Sequence, residues 1–467
     1  MLGRTWQLFA KNNSCTRAAT NFRGVSKSFT TLKSTVQFQP LRKLQLPTTI
    51  RNYATVPLAE LSSKNLPPLV APNRIAYWLM GTSTLVFGIV VLGGLTRLTE
   101  SGLSITEWKP ITGAIPPLNE EEWELEFSKY RESPEFKQLN SNITLEEFKF
   151  IFSMEWGHRL VGRTIGMVFI LPALYFWKKG YFSPHITRSV IGLTALLGLQ
   201  GAIGWWMVYS GLDEDQLKER KSKPTVSQYR LTTHLGAAFL MYLGVLWTAF
   251  EIKNENALLS KLKSTPEKAQ TLVNQLMSPA LKKFRLMGAG LLLLSFITAM
   301  SGGMVAGLDA GLIYNTFPHM GDDYIPSTNE LMSPVFARKD DLSDLWWRNL
   351  FENPTTVQLV HRVFATTTFF AILWAHIVVN KNKAIIPPPA KKAIHGLMGL
   401  VSLQVALGIS TLIYLVPIPL AAAHQAGALA LLTGALAFCA RLKKPRPEVV
   451  AYINKSMKNM LLKNKSV

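Results

Sequence analysis

The sequence predicts an all-α polytopic membrane protein, with eight transmembrane helices forming two pseudo-symmetric four-helix bundles. Three observations predict this architecture: long apolar runs, an alternation of charge between them, and a histidine-containing motif that occurs twice. The composition alone, 467 residues of which 48% are hydrophobic and 17% charged, would also suit a large soluble protein. The distribution of the residues along the chain therefore decides the class.

Eight apolar runs recur along the chain. Each is close to the roughly 20 residues that a helix needs to cross a hydrocarbon core about 30 Å thick. The runs lie near residues 75–95, 157–177, 188–209, 231–250, 286–306, 358–379, 393–415 and 419–439. The lipid bilayer is therefore the expected environment of most of the chain.

The net charge of +21 is concentrated in particular segments, and this distribution argues against nucleic acid as a partner. Residues 1–59 contain many Arg, Lys, Ser and Thr residues and no Asp or Glu, which is typical of a mitochondrial transit peptide. The stretch RNYAT (51–55) predicts cleavage after Tyr53, so that residues 1–53 are removed. A disordered basic tail is the alternative.

The segments between the spans alternate in charge. Basic segments follow the even-numbered spans, including 251–285, which is expected to be a matrix linker, and 441–467, a basic matrix tail. Acidic segments such as 119–136 and 321–330 follow odd-numbered spans. The positive-inside rule then places both mature termini in the matrix and the acidic segments in the intermembrane space.

The eight spans divide into two similar sets of four, over residues 70–250 and 286–440. The matching features are His158 with His361 (203 residues apart), LQGAIG (199–204) with LQVALG (403–408) (204 apart), and His234 with His424 (190 apart). The last pair is closer in sequence than the other two because the loop 211–229 of the first set is replaced by a very short loop, 416–418, in the second. An even number of spans in each set gives a parallel repeat, and two side-by-side four-helix bundles follow.

Each predicted bundle carries two histidines on two helices, near the acidic-side ends of even-numbered spans. A rise of about 1.5 Å per residue puts them at similar depth. Such a pair suits haem iron, which commonly takes axial histidine. Histidines that only bond neighbouring helices are the alternative, but ionisable groups inside a membrane are costly and usually functional.

The remaining metal-ligand residues are weaker candidates. Cys15 and Cys439 cannot build a cysteine metal site. His185 and His319 are placed in loops, and His376 and His395 beside the loop between the sixth and seventh spans. The last two could form a second bis-histidine site, but the first bundle has no counterpart for it.

The stretches SMEWGHRLVGRT (153–164) and TVQLVHRVFATT (356–367) share a His-Arg pair. We expect Arg159 and Arg362 to bind carboxylates such as haem propionates; snorkelling towards the headgroups is the alternative. Glu155 precedes His158 by three residues and shares its helix face, whereas the other copy has Gln358. Glu155 therefore marks the reactive copy, unless it is merely an exposed residue at a helix start.

Three further patterns give local expectations. TLEE (144–147) predicts a capping box at the start of a helix in the first outer loop. Gly88, Gly93, Gly94, Gly302 and Gly303 predict close helix packing. Arg97 and Asp309 lie at matching exits of the first and fifth spans, where a salt bridge and a propionate contact are equally compatible with the sequence.

Longer motifs resemble one known family. They are GGLTRLTESGLSITEWKPITGAIPPL (93–118), EFKFIFSMEWGHR (147–159) and GGMVAGLDAGLIYNTFPHMGD (302–322). Together they are similar to heme A synthases of the mitochondrial and α-proteobacterial type. The similarity covers about residues 70 to 440, and the presequence fits a eukaryotic member.

The resemblance implies oxidation of the C8 methyl of haem O to a formyl group, giving haem A for cytochrome c oxidase. It implies catalytic roles for Glu155, His158 and His234, with the last two around the iron of the substrate haem. It assigns His361 and His424 to the iron of a resident haem b. Implied partners are a matrix ferredoxin with its reductase, heme O synthase, and a second copy in a homo-oligomer.

One family feature is missing. Some bacterial members carry a cysteine pair in the first outer loop, and this chain has none there. Two other functions remain as alternatives: a bis-histidine membrane cytochrome b for electron transfer, and a transporter. Equal depth of the four histidines argues against transmembrane electron transfer, and the lack of interrupted helices argues against transport.

Overall fold

The structure is a computed structural model that describes residues 68–465, so the predicted transit peptide lies outside the described residues. Eight helices in this part are long and apolar enough to cross a membrane. They are α1 (Asn73–Leu98), α2 (Leu145–Lys178), α3 (Pro184–Leu212), α4 (Gln228–Ser264), α5 (Lys282–Gly307), α6 (Pro354–Lys381), α7 (Pro388–Ile413) and α8 (Ile418–Leu442). The predicted all-helical polytopic class is confirmed, and residues 68–465 contain no β-strand.

Local sequence signals explain where several of these helices begin. The predicted capping box is present, because the Thr144 hydroxyl and the Glu147 carboxylate satisfy each other's backbone N–H groups. Ser183 caps α3 and Asn353 caps α6, each followed by proline at the first helical position, where its missing N–H costs nothing. Since α2 starts at residue 145, it extends well beyond the apolar run predicted near 157–177.

The helices contact one another in two closed rings. In the first, α1 packs against α2 and α4, and α3 packs against the same two helices. In the second, α5 packs against α6 and α8, and α7 packs against the same two. Contacts of α1 with α8, and of α4 with both α5 and α8, join the rings.

Two glycines allow close approach where the rings meet. An added Cβ at Gly94 of α1 would overlap the side chain of Gln425 of α8, whose amide donates to the Val90 carbonyl over 2.9 Å. An added Cβ at Gly303 of α5 would lie 3.2 Å from Leu235 of α4. The expectation of close helix packing is confirmed at these two glycines and is wrong at Gly88, where an added Cβ would meet nothing within 4 Å.

The predicted matrix-side linker is largely helical. Helix α4 continues to Ser264, and a separate helix follows over Pro266–Met277. The C-terminal helix Pro447–Lys465 packs on it through a buried apolar cluster that includes Val449 and Ile453. The Arg446 guanidinium pairs with the Glu255 carboxylate at 2.6 Å, which ties the C-terminal segment to α4.

The segment between α1 and α2 has its own small aromatic core. Phe127 and Tyr130, on the short helix Glu120–Arg131, stack on Phe148 of α2 with ring centroids 4.9 and 5.2 Å away. Beside them, the Glu135 carboxyl group is only 4% exposed and accepts a 3.1 Å hydrogen bond from the Tyr130 hydroxyl. Burial, with a smaller contribution from Glu155, raises the pKa of Glu135 to about 8.

The Glu135→Gln variant should change how stability depends on pH. Because the pKa of Glu135 is raised in the folded state, the folded protein holds a proton that the unfolded chain releases between its ordinary pKa and about 8. The unfolding free energy should therefore fall as the pH rises through that window. Glutamine cannot titrate, so the variant should lose less stability than the wild type.

Thermal unfolding of the detergent-solubilised proteins at about pH 5 and about pH 9 measures this difference. Glu135→Ala serves as the contrasting variant, since it removes the acceptor of the Tyr130 hydroxyl and should destabilise at both pH values. Equal pH dependence in wild type and Glu135→Gln would contradict the assignment.

Candidate functional site

Four histidines lie against four glycines in the same geometry. Each ring is on an even-numbered helix, and an added Cβ at a glycine of a neighbouring odd-numbered helix would lie about 3 Å from its Cε1 atom. The pairs and distances are Gly93–His158 at 2.9 Å, Gly204–His234 at 3.0 Å, Gly302–His361 at 3.1 Å and Gly408–His424 at 2.8 Å. Any side chain beyond hydrogen at these positions would displace the ring, because packed interiors tolerate little overlap.

The rings of helices place the histidines in two pairs. His158 and His234 lie on α2 and α4 of the first ring of helices, and His361 and His424 lie on α6 and α8 of the second. The Nδ1 atoms of His158 and His424 are buried, whereas the four residues as a whole are partly exposed. Two histidines on two helices of one ring are the arrangement that a ligand held from both faces needs.

Two glutamines fix the helix segments that carry the second histidine of each pair. Gln200 of α3 donates its amide N–H to the His234 carbonyl over 2.9 Å, and Gln404 of α7 donates to the His424 carbonyl over the same distance. Sequence reasoning gave these residues no role. The sequence nevertheless indicates them, because the repeated hexapeptides LQGAIG and LQVALG both place a glutamine four residues before the glycine that contacts a histidine.

Glu155 is buried, with 3% of its surface exposed, which excludes the alternative of a solvent-exposed helix start. One carboxylate oxygen accepts hydrogen bonds from the Ser104 hydroxyl at 2.7 Å and the Ile105 backbone N–H at 2.9 Å. The other pairs with Arg159 at 2.6 Å. Glu155 thus joins α2 to the loop that follows α1.

Gln358 occupies the corresponding place in the second ring of helices, but its hydrogen bonds differ from those of Glu155. Its amide donates to the backbone carbonyls of Ala310 and Tyr314 over 2.8 and 3.2 Å, and its oxygen accepts from Arg362 at 3.2 Å. The loop after α1 presents donors to Glu155, whereas the loop after α5 presents acceptors. The Glu/Gln difference is therefore matched by the local backbone.

The two arginines next to the first histidines hold the same loops. Arg159 donates to the carbonyls of Ile105 and Glu107 over 3.2 and 3.3 Å. Arg362 donates to the carbonyls of Tyr314 and His319 over 3.0 Å each. Neither guanidinium is directed only towards the lipid headgroups, so simple snorkelling does not describe them.

Buried arginine N–H groups fit an anionic ligand. The Nε atoms of Arg97 and Arg362 are buried and have no hydrogen-bond partner within residues 68–465. Arg97 also pairs with Asp309 at 2.6 Å, so the salt bridge expected as one of two alternatives is present. Donors of this kind, together with the histidine pairs, suit a porphyrin with carboxylate substituents.

Aromatic side chains distinguish the first ring of helices from the second. Trp205 of α3 follows Gly204 directly and stacks on Trp108 at 5.6 Å between centroids. The Arg159 guanidinium lies 5.9 Å from the Trp205 ring. The residue after Gly408 in the second ring is Ile409, so this aromatic stack has no counterpart there.

The other four histidines do not join these pairs. His185 lies in the first turn of α3, not in a loop, with its Nε2 atom 3.1 Å from Glu251. His319 stacks on Tyr324 at 4.1 Å. His376 and His395 do come together, at 4.7 Å between ring centroids. No group of three or more His, Cys, Asp or Glu side chains arranged for a metal ion occurs in the described part of the chain, a criterion that a bis-histidine pair does not have to meet.

Residues 76–436 match the family of cytochrome oxidase assembly proteins designated COX15-CtaA. The chain belongs to this family. The match includes all four histidines, Glu155, Gln358 and both of the loops that they hold. The expected family resemblance is thereby confirmed.

Similar proteins within the family are named as heme A synthases. The chain is 56% identical over 435 residues to heme A synthase COX15 of Saccharomyces cerevisiae, covering 91% of this chain and 87% of that protein. It is 45% identical over 388 residues to heme A synthase COX15 of Homo sapiens, covering 82% and 87%. It is 50% identical over 375 residues to the heme A synthase-mitochondrial ferredoxin fusion protein of Schizosaccharomyces pombe, covering 80% and 60%.

Alanine at a histidine-contacting glycine should disturb ligand binding. Gly93→Ala and Gly204→Ala place a methyl group about 3 Å from a His Cε1 atom, and overpacking of this kind costs about 1–3 kcal/mol. Gly88→Ala and Gly201→Ala are matched controls in the same helices, since no atom lies within 4 Å of an added Cβ there.

The haem retained per purified protein should fall in the first two variants and stay constant in the controls. The melting temperature of the controls should be equal or higher, because alanine favours helix over glycine by about 1 kcal/mol. Full haem retention in both contact variants would show that the glycines do not set the ring positions.

Proposed function

We propose that this chain is a heme A synthase of the mitochondrial inner membrane, which oxidises the C8 methyl of haem O to a formyl group and supplies haem A for cytochrome c oxidase. Membership of the COX15-CtaA family and high identity to heme A synthases over most of the chain support this activity. The eight helices that are long and apolar enough to cross a membrane support the location in a membrane.

The strongest support is a single difference between the two histidine pairs. All four histidine rings pack against a glycine in the same way, but the residue three positions before the first histidine is Glu155 in one pair and Gln358 in the other. The contact rings α1–α4 and α5–α8 support two homologous four-helix bundles. We infer that His158 and His234 bind the substrate haem and that His361 and His424 bind haem b. Only the first bundle has an ionisable carboxylate at this position, Glu155.

The residues of the first bundle have separable tasks. His158 and His234 hold the substrate by its iron, and Gly93 and Gly204 set the positions of these rings. Arg159 keeps the loop after α1 in place, and together with Arg362 in the second bundle it offers cationic charge for propionates. Oxidation of the methyl carbon by an oxygen co-substrate, with electrons from the donor, requires protons to move at the reacting centre, and we propose that the buried Glu155 carboxylate exchanges them.

A purely structural role of Glu155 is the competing explanation. Its carboxylate accepts hydrogen bonds from Ser104 and Ile105, and so it also anchors the loop. Glutamine would retain an oxygen for these donors but would direct an N–H group towards Arg159. A test of Glu155 must therefore measure loop structure separately from product formation.

The electron supply is proposed to come from a matrix ferredoxin and its reductase. The name of the S. pombe relative records a ferredoxin fused to a heme A synthase, which supports such a partner. With both mature termini in the matrix, the haem sites lie towards the intermembrane space. Association with heme O synthase and with a second copy of the chain stays a prediction.

Glu155→Gln should abolish haem A formation while leaving haem b in the second bundle. The physical reason is that the glutamine side chain cannot take up a proton. Haem extraction and mass measurement report the product, and limited proteolysis of the loop 99–118 reports whether the anchor persists. Glu135→Gln is the control for removing a buried carboxyl group outside the site, and it should form haem A normally.

Two results would count against this assignment. Wild-type haem A output from Glu155→Gln would remove Glu155 from the chemistry, and loss of product only together with loop cleavage would favour the structural role. In the wild-type protein, haem b alone with no modified haem under turnover would favour the bis-histidine cytochrome instead.

A further inference from the structure

The first histidines of the two proposed bundles, His158 and His361, differ in the hydrogen bonding of their Nδ1 atoms. His361 Nδ1 lies 2.8 Å from the hydroxyl oxygen of Ser301 on α5. His158 Nδ1 is buried without a hydrogen-bond partner in the described residues. The two rings are otherwise set alike, because their Cε1 atoms lie 3.1 and 2.9 Å from an added Cβ at Gly302 and Gly93.

The contrast originates in one residue. Ser301 immediately precedes Gly302, and the residue that immediately precedes Gly93 is Leu92. Since the two glycines contact their histidines in the same way, Leu92 occupies the place of Ser301. A leucine side chain has no atom that can accept a hydrogen bond.

The bonding of Ser301 favours His361 as the donor. A serine hydroxyl has one proton and two acceptor lone pairs. Ser301 Oγ lies 2.7 Å from the Thr298 carbonyl oxygen, which can only accept, and a hydroxyl that donates there accepts from His361. With this arrangement a neutral His361 carries its proton on Nδ1, and the lone pair on Nε2 is free for a metal.

We propose that Ser301 is a positioning residue that makes His361 a strong and permanent iron ligand, and that Leu92 leaves His158 a weaker ligand which can release its haem. This inference rests on the proposed function. A hydrogen bond donated by the distal ring nitrogen fixes the ring orientation and increases the basicity of the ligating nitrogen. A substrate site has to release its product, whereas a resident haem has to stay.

The second histidine of each pair does not compensate for this difference. His424 Nδ1 has no hydrogen-bond partner within residues 68–465. His234 Nδ1 faces the Gln200 amide nitrogen at 3.3 Å, a group that donates and cannot accept from the ring. Among the four proposed ligands, His361 alone has a side-chain hydroxyl beside its Nδ1 atom in the described part of the chain.

The test compares Ser301→Ala, Ser301→Thr and Leu92→Ser in the purified haem-loaded protein. Haem release is followed as transfer to an excess of an apo-globin, with each released haem identified by mass. Ser301→Ala should release haem b about 10–100-fold faster, the usual effect of losing a hydrogen bond behind a metal-bound histidine. Ser301→Thr keeps the hydroxyl and should restore slow release, and Leu92→Ser should slow the release of haem O or haem A.

Redox titration gives a readout that a general packing defect would not produce. A less basic ligand stabilises ferric iron less, so Ser301→Ala should raise the midpoint potential of haem b, and Leu92→Ser should lower that of the other haem. An unchanged rate of haem release and an unchanged midpoint potential in Ser301→Ala would overturn the inference. Fast release and a raised potential in Ser301→Thr, which keeps the hydroxyl, would overturn it as well.

The outcomes also separate this inference from the proposed function. Normal haem A formation with equal release of haem b from wild type and Ser301→Ala would overturn only the role of Ser301. Different release rates in a protein that never forms haem A would overturn only the enzymatic proposal. A preparation that binds no haem would overturn both.

Discussion

The contact between a histidine ring and a glycine on the neighbouring helix underlies the rest of the structure. It occurs four times, at Gly93, Gly204, Gly302 and Gly408, where an added Cβ would always lie about 3 Å from a Cε1 atom. Because glycine lacks a side chain, the imidazole ring can lie directly against the backbone of the neighbouring helix. The packing of these helices and the positions of the four histidine rings are therefore determined by the same contacts.

The loops on the acidic side depend on those helices in turn. Glu155 and Arg159 hold the loop after α1, and Gln358 and Arg362 hold the loop after α5. In both cases a residue one turn before the histidine and one directly after it reach across to backbone groups. Any residue placed for chemistry at position 155 consequently also has a structural task, which is why its substitution requires two separate measurements.

The two halves share a geometry and differ in a few side chains. Glu155 corresponds to Gln358, Leu92 to Ser301, and Trp205 to Ile409. Under the proposals made above, the first member of each pair would change proton exchange, ligand strength or aromatic packing in the half proposed to bind the substrate. Two similar halves could then hold one haem and modify another with few changes, because each change acts beside a histidine ring that packs against a glycine.

The sequence by itself determined the eight helices, the four histidines, the Glu155/Gln358 difference and the family, because apolar length and motif spacing are local properties of the chain. Only the tertiary structure decided that Glu155 is buried against a loop, that Arg97 pairs with Asp309, that His376 meets His395, and that Ser301 lies behind His361. These contacts join residues far apart in the chain. Their partners depend on how helices rotate and pack, which hydrophobic periodicity does not specify.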